Sequence, residues 1–493
     1  MKTALLWLRR DLRLADNPAL HHALSHAERI VPVYIDSFEA PGTEPGAASR
    51  WWLHYSLTAF AADLQRHRAA LVIRRGEPAR VLSELAKQFG AEAAFWNRLY
   101  EPAQYQADRR ICDGLIDAGL EVRTFNGALL AEPWEIETQT GGPYRVYTPF
   151  SRKLRARGTP RSPLPAPRRI PGVAAESLTI ASLGLLPKIG WDAGIAKTWK
   201  PGEAGAQQRL TRFCDEALQD YSAGRDRPDQ LLTSRLSPHL HFGEIGPVQL
   251  LARVQRELAE NHGPGVAGGA ETYEREILWR EFAHHVLYHY PRTPSEPMDP
   301  RFSAFAWRKP REYAEDLRRW QQGRTGVPIV DAGMRQLWTT GWMHNRVRMI
   351  VASFLSKNLL IPWQEGAAWF WDTLVDADLP ANTLGWQWVA GSGADAAPYF
   401  RIFNPVTQSQ KFDPEGRYLR HWVPEIAALP ASLLHAPWLA EPSVLAQLKI
   451  DYPAPSVDLG ESRSRALQAF ERIKRGRSGG PGRQVHDRAG VSA

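Results

Sequence analysis

Cysteine is nearly absent: Cys112 and Cys214 are the only two in 493 residues. They provide no disulfide framework and no metal-ligand spacing, so a stapled scaffold is excluded and a reducing cytoplasm is expected. No apolar run approaches the ~20 residues of a membrane span. Ala4–Leu8 is too short for a signal-peptide core and runs straight into Arg9-Arg10. Neither membrane insertion nor export is expected, and no internal repeat is visible. Excess charge is also scarce. The net charge is +8, and residues 472–493, with six basic residues against Asp487, hold +5 of it. A basic tail alone argues little for a nucleic-acid partner. No glycine-rich phosphate turn follows the first apolar run, where Trp7-Leu8-Arg9-Arg10-Asp11 stands instead. That excludes a dinucleotide site of the usual Rossmann kind in this region.

What is present is ordinary globular composition, 43% apolar and 23% charged, at a length that suggests two or three domains. Tryptophan is abundant, with 19 indoles, most of them after residue 190. Such enrichment favours an aromatic-lined interior, a stacking surface, or both. Leu5–Leu8, Ile30–Ile35, Leu71–Arg74, Ala93–Trp96 and Val122–Phe125 read as short buried strands. Helical patterns near Pro18–His26, Arg50–Arg66, Pro78–Phe89 and Ala103–Ala118 separate them. This alternation predicts a doubly wound parallel-sheet α/β domain over residues 1–133. The pattern fades over 134–200, where Thr159–Pro167 is proline-rich, and a long connector is expected. Residues 201–473 are almost wholly helical in pattern: Ala206–Tyr221, Pro247–Leu258, Tyr273–His289, Pro310–Gln321, Met343–Lys357 and Gln364–Val375. Residues 474–493 read as a basic disordered tail.

Four groups of residues have the makings of a site. Thr233-Ser234-Arg235-Leu236-Ser237 precedes Pro238. Ser237 is placed as an N-cap, either of an ordinary helix or of one whose first turn holds phosphate. Glu276, Trp279 and Arg280 share a helical face. They read either as a Glu276–Arg280 surface pair or as a pocket wall, where the indole stacks on a flat ligand and a desolvated carboxyl donates a hydrogen bond. Trp342, Asn345 and Met349 share another face, flanked by Arg346 and Arg348. They suit a planar heterocycle with an anionic neighbour, with Asp376-Ala377-Asp378 supplying a carboxylate for one arginine. An ordinary ion pair is the other reading. Trp386, Trp388, Trp363 and Trp307 read as packing, or as an electron path that spacing alone cannot show.

These segments together resemble the photolyase/cryptochrome family, from Trp7–Arg13 to Asp451-Tyr452-Pro453. The most specific stretch runs from Gly341-Trp342-Met343-His344-Asn345-Arg346 through Asn382–Trp388 to Tyr399–Pro405. Within the family the chain looks most like bacterial class I cyclobutane pyrimidine dimer photolyases. The resemblance implies a monomeric flavoprotein that uses blue light and reduced FAD to split dimers in UV-damaged DNA. It implies that Tyr221, Thr233, Ser234, Arg235, Leu236 and Ser237 hold the phosphates and ribose of FAD. Asn345, Arg348, Asp376, Ala377 and Asp378 would lie along the flavin, with Arg348 paired to Asp376 and Asn382 facing flavin N5. Glu276 would contact the dimer, Trp279 and Trp388 would cradle it, and Asn345 and Met349 would lie nearby. Arg225, Arg280, Arg346, Arg401 and Lys411 would complete the DNA surface. Trp386, Trp363 and Trp307 would relay electrons from the surface. Folate-binding relatives carry an Asn-Glu pair where Ala103 and Gln104 stand. The antenna chromophore therefore stays open between methenyltetrahydrofolate held differently, a deazaflavin or flavin, and none. A cryptochrome-type photoreceptor without repair activity is the alternative, and Asn382 speaks against it, since plant cryptochromes typically carry Asp there.

Overall fold

The computed structural model describes residues 1–37, 44–158, 161–173, 175–261, 263–396 and 400–475. Thr159, Pro160, Tyr399 and the expected tail from 476 onward lie outside the described residues. Five parallel strands form one sheet in the order β3-β2-β1-β4-β5. They are β1 Thr3–Leu8, β2 Arg29–Asp36, β3 Val72–Arg75, β4 Ala93–Asn97 and β5 Glu121–Phe125. Every residue of β1 is buried. Alternation along a strand sends Ala4, Leu6 and Leu8 into one core and Leu5 and Trp7 into another. Helices α1 (Pro18–His26) and α2 (Ala47–Arg66) cover the first face. Helices α3 (Pro78–Phe89) and α4 (Pro102–Asp117) cover the second. The doubly wound expectation is met, and continuous apolar runs follow from burial on both faces.

The connector is more structured than expected. Helix α5 (Tyr147–Arg157) packs Tyr147, Phe150 and Leu154 into the core of the helical domain. Gly172 bridges to Ile30 at the start of β2. The expected helix over 273–289 begins nine residues earlier and runs Pro264–His289. Its first turns carry Gly265, Gly268 and Gly269. In the fold they permit contact: a Cβ at Gly269 would lie 1.7 Å from the Leu218 carbonyl oxygen. The expected Met343–Lys357 helix is α-helical over Asn345–Ser353 and continues as a π-turn over Phe354–Asn358. There the Lys357 ammonium is buried and donates to the Ala390 carbonyl at 2.6 Å.

Polar contacts fasten the two domains. Arg13 is 1% exposed and donates to the carbonyls of Gly243 at 2.9 Å and Gly127 at 2.7 Å. Glu203 accepts the amides of Leu14 and Ala15 at 2.7 and 3.0 Å. The Trp52 indole donates to Glu244 at 3.0 Å. Each satisfies a buried polar group that would be costly left unpaired, so the N-terminal domain is docked in one orientation against the helices that carry the candidate site.

Candidate functional site

The segment 233–237 is a sharp bend, with Arg235 at φ 51°. Ser237 is the first helical residue of the short helix Ser237–His241 and Leu236 occupies the cap position, so the expected side-chain cap is not formed. The Thr233 and Ser237 hydroxyls have no hydrogen-bond partner among the described residues, while Ser234 accepts from the Tyr273 phenol at 3.2 Å. Leu236 is buried beneath the bend, and Tyr221 packs edge-on against Phe213 and Tyr273. Arg235 lies 4.7 Å from the Trp342 ring centre. It has no carboxylate partner among the described residues, and burial pushes its guanidinium below its ordinary value. A half-buried, unpaired cation beside two free hydroxyls and a buried indole is a fitting seat for a dinucleotide pyrophosphate.

Across from it, Arg348 donates through Nη2 to both oxygens of Asp376, at 3.0 and 2.8 Å, and through Nε to the Met343 carbonyl at 2.8 Å. The expected Arg348–Asp376 pair is therefore present. Asp378 caps the helix Leu379–Ala390 by accepting the Ala381 amide at 3.1 Å, and its other oxygen faces His241 Nδ1 at 3.3 Å. Burial works to raise the Asp378 carboxyl, but the His241 contact and the nearby His284 and Arg280 hold it well below the carboxylate range. Asn382 donates to the Ala367 carbonyl at 3.1 Å, which fixes the amide; its Oδ1 has no donor among the described residues. Ala377 is buried beside it. Together these groups offer one guanidinium, two carboxylates and a free amide oxygen. That set suits a polyhydroxy chain and a heterocycle with both donors and acceptors.

The aromatic walls are tied to one another. Trp279 stacks face to face on Tyr147, with centroids 3.7 Å apart and planes at 5°. Trp388 donates to the Asp395 carbonyl at 3.1 Å, and the Asp395 side chain accepts the Tyr147 amide at 3.2 Å. One residue thus couples both indoles. Tyr147 and Asp395 escape sequence reasoning because they lie in the apparent connector and in a loop. Asn345 is exposed and Met349 half-buried at the start of helix Asn345–Ser353. His344 caps that helix through Nδ1. Burial drives its imidazole down to about 4, which keeps it a neutral acceptor.

At the rim the expected Glu276–Arg280 pair is not formed. Glu276 is instead ion-paired with Arg225, whose Nη1 donates to its carboxylate. Arg280 donates to the Ala128 carbonyl at 2.7 Å, an interdomain contact. Arg346 pairs with Asp226 at 2.7 Å and lies over Phe412. Arg401 and Lys411 are exposed, Arg401 near Trp388 and Lys411 near Phe412. Trp386 and Trp363 are each 2% exposed and Trp307 is half-buried, all in one cluster. The Trp386 ring contacts Phe370 and Trp320 at 5.1 and 6.3 Å. Its N–H is buried without a partner.

Between the domains lies a cavity of about 480 Å³, lined by Arg10, Glu101 and Gln104 on one side and His241, Ala377 and Asn382 on the other. The Gln104 carbonyl oxygen is buried there without a partner, whereas Ala103 is exposed. Gln104 lines the cavity, which has room for a bound heterocycle. Among the described residues, no helix is long and apolar enough to cross a membrane.

Comparison with known proteins agrees with this fold over both domains. Residues 4–168 match the family described as DNA photolyase, and residues 273–472 match the FAD binding domain of DNA photolyase. The chain is 44% identical over 487 residues to the deoxyribodipyrimidine photo-lyase of Agrobacterium fabrum, covering 96% of this chain and 99% of that one. It is 36% identical to cryptochrome-1 of Arabidopsis thaliana over 95% of this chain and 70% of that one. The crystal structure of a bacterial class III photolyase from Agrobacterium tumefaciens superposes with a TM-score of 0.92 at 43% identity, covering 96% and 98% of the two chains. With one family description matched in each domain and relatives spanning almost its whole length, this FAD-binding chain belongs to the photolyase/cryptochrome family.

Proposed function

We propose that this protein repairs cyclobutane pyrimidine dimers in DNA under blue light. The observation that carries the reading is a pair of indoles, Trp279 and Trp388, joined through Tyr147 and Asp395, with Glu276 on the same helix as Trp279. Tyr221, Thr233–Ser237, Arg348 and Asp376 would hold FAD, which, reduced and excited by light, would supply the electron for dimer splitting. The chain's residues do the rest. Trp279 and Trp388 stack on the flipped dinucleotide and offset part of the few kcal/mol that flipping costs. Glu276 offers its carboxyl to the dimer once Arg225 turns to a phosphate. Arg348 and Asp376 would fix the flavin edge, and Asn382 would supply a neutral amide there that adds no charge of its own. Arg225, Arg346, Arg401 and Lys411 take the backbone and make binding salt-dependent. Arg280 is left out of that set because it already serves Ala128.

Trp386 and Trp363 are buried and Trp307 is half-buried in one cluster, which suits a relay from flavin to solvent. The interdomain cavity is the candidate seat of an antenna, a methenyltetrahydrofolate or a deazaflavin, with Gln104 as its acceptor. The enzyme reading is that of a photolyase without a class number, since a class III enzyme stands among the near relatives. Similarity to a plant cryptochrome favours a photoreceptor as the second reading. Incubating the flavin-loaded protein with dimer-containing oligonucleotide, in blue light and in darkness, separates the two. Loss of dimers only in light is expected. Intact dimers with reversible flavin bleaching would replace the lyase by the sensor.

A further inference from the structure

Four side chains of alternating sign form a chain beside Trp279, on the face proposed for DNA. Glu276, on the helix Pro264–His289, pairs with Arg225; Arg225 Nε lies 3.8 Å from Asp226 Oδ1; Asp226 Oδ2 accepts from Arg346 Nη2 at 2.7 Å. Both arginine side chains are 20% exposed and the Asp226 side chain 34%, so the network is half-buried and less screened than a surface pair. Arg346 is further fixed over the Phe412 ring at 4.5 Å, and its Nε is buried without a partner. Its guanidinium therefore has bonding capacity beyond Asp226.

Asp226 offers each guanidinium one carboxylate oxygen, the kind of acceptor a phosphate would bring. It relieves repulsion between two neighbouring cations and holds them on that face. It also opposes any phosphate that approaches the same pair, because two anions cannot share the position without cost. Undamaged duplex keeps its nucleotides stacked and its phosphates outside. A flipped lesion carries its own phosphates toward that face.

We infer that Asp226 is a specificity-determining residue, an internal surrogate for the lesion's phosphate that occupies Arg225 and Arg346 until a flipped nucleotide displaces it. It disfavours capture of undamaged DNA, which is discrimination by a built-in repulsion. The inference rests on the DNA-repair reading proposed above.

The test is fluorescence anisotropy of flavin-loaded wild type, Asp226→Asn and Asp226→Glu with undamaged and dimer-containing duplexes across a salt series. Asp226→Asn is expected to bind undamaged duplex roughly three- to tenfold tighter, with a salt slope steeper by about one charge, and to gain less on the dimer duplex. Discrimination then falls, and Asp226→Glu restores most of it. Asp226→Ser carries the same expectation and serves if the amide variant loses flavin absorbance. Weaker binding of both duplexes by Asp226→Asn would make the residue a mere brace and overturn the inference, as would an unchanged ratio. A wild type with no preference for the dimer duplex would instead overturn the repair reading, and the discrimination assigned to Asp226 with it.

Discussion

Arg235 is held in a left-handed bend, stacked on Trp342, and has no carboxylate partner among the described residues. Desolvating a guanidinium without an anion is unfavourable, which fits the proposal that a ligand phosphate completes the site. Arg235→Ala is expected to lower flavin retention about tenfold or more, read as the ratio of flavin to protein absorbance after dialysis; full retention would remove Arg235 from the phosphate site. Glu276 makes the complementary case. It faces Arg225 in the free protein, so losing the carboxylate frees a cation for DNA while removing a contact to the dimer. Glu276→Ala is expected to cut light-driven repair per bound dimer by roughly three- to tenfold, with dimer affinity held within about twofold. Equal losses in both would show that the carboxyl serves binding alone. The residue types at this site were legible in the sequence because they cluster on helical faces. Their partners were not: Asp226, Tyr147 and Asp395 come from a turn, the connector and a loop, and only the fold brings them to the site.

At the scale of elements, the helices Trp363–Thr373 and Leu379–Ala390 approach so closely that a Cβ at Gly366 would lie 2.0 Å from Trp386 Cη2. Gly366 lets the Trp386 ring lodge between Phe370 and Trp320. Gly366→Ala would overpack this contact, at a cost of about 1–3 kcal/mol that exceeds alanine's gain in helix propensity. A lower denaturation midpoint, together with changed Trp386 fluorescence, is expected; an unaltered midpoint would mean that the helices can separate freely. The strands were read within one or two residues, because apolar runs bounded by polar turns leave little choice of register. The helix Pro264–His289 was read nine residues short, since its glycines meet the 218–220 turn and serve close approach, which looks like helix breaking in one dimension. The π-turn at Phe354–Asn358 has no periodic signature, and neither has α5 within the connector.

At the scale of the whole molecule, the domains are docked by an apolar cluster that joins Trp52 to Trp199, Phe242 and Trp342 and by buried polar groups, one of which is a titratable carboxyl. Glu281 is 3% exposed, and its Oε2 accepts the amides of Leu130 and Ala131 at 2.8 and 3.4 Å. Its Oε1 is buried without a hydrogen bond, although Arg280 Nη1 lies 3.7 Å away. Burial is the largest influence and outweighs Arg280 and the two amides, pushing the carboxyl up to about 7. The folded value is thus above the ordinary one, so the proton is bound more tightly in the folded protein. The stability this proton contributes is complete below the ordinary value near 4.5 and is lost as the pH rises through about 7. The swing is on the order of 3 kcal/mol from the size of the shift. Glu281→Gln keeps an acceptor for the Leu130 amide and cannot ionise. Denaturant unfolding of the flavin-loaded proteins at pH 5 and pH 8 is therefore expected to show wild type losing stability relative to Glu281→Gln, by up to that amount. Parallel curves for the two proteins would mean that water or Arg280 already compensates the charge, and that docking at Leu130 and Ala131 does not depend on the Glu281 proton.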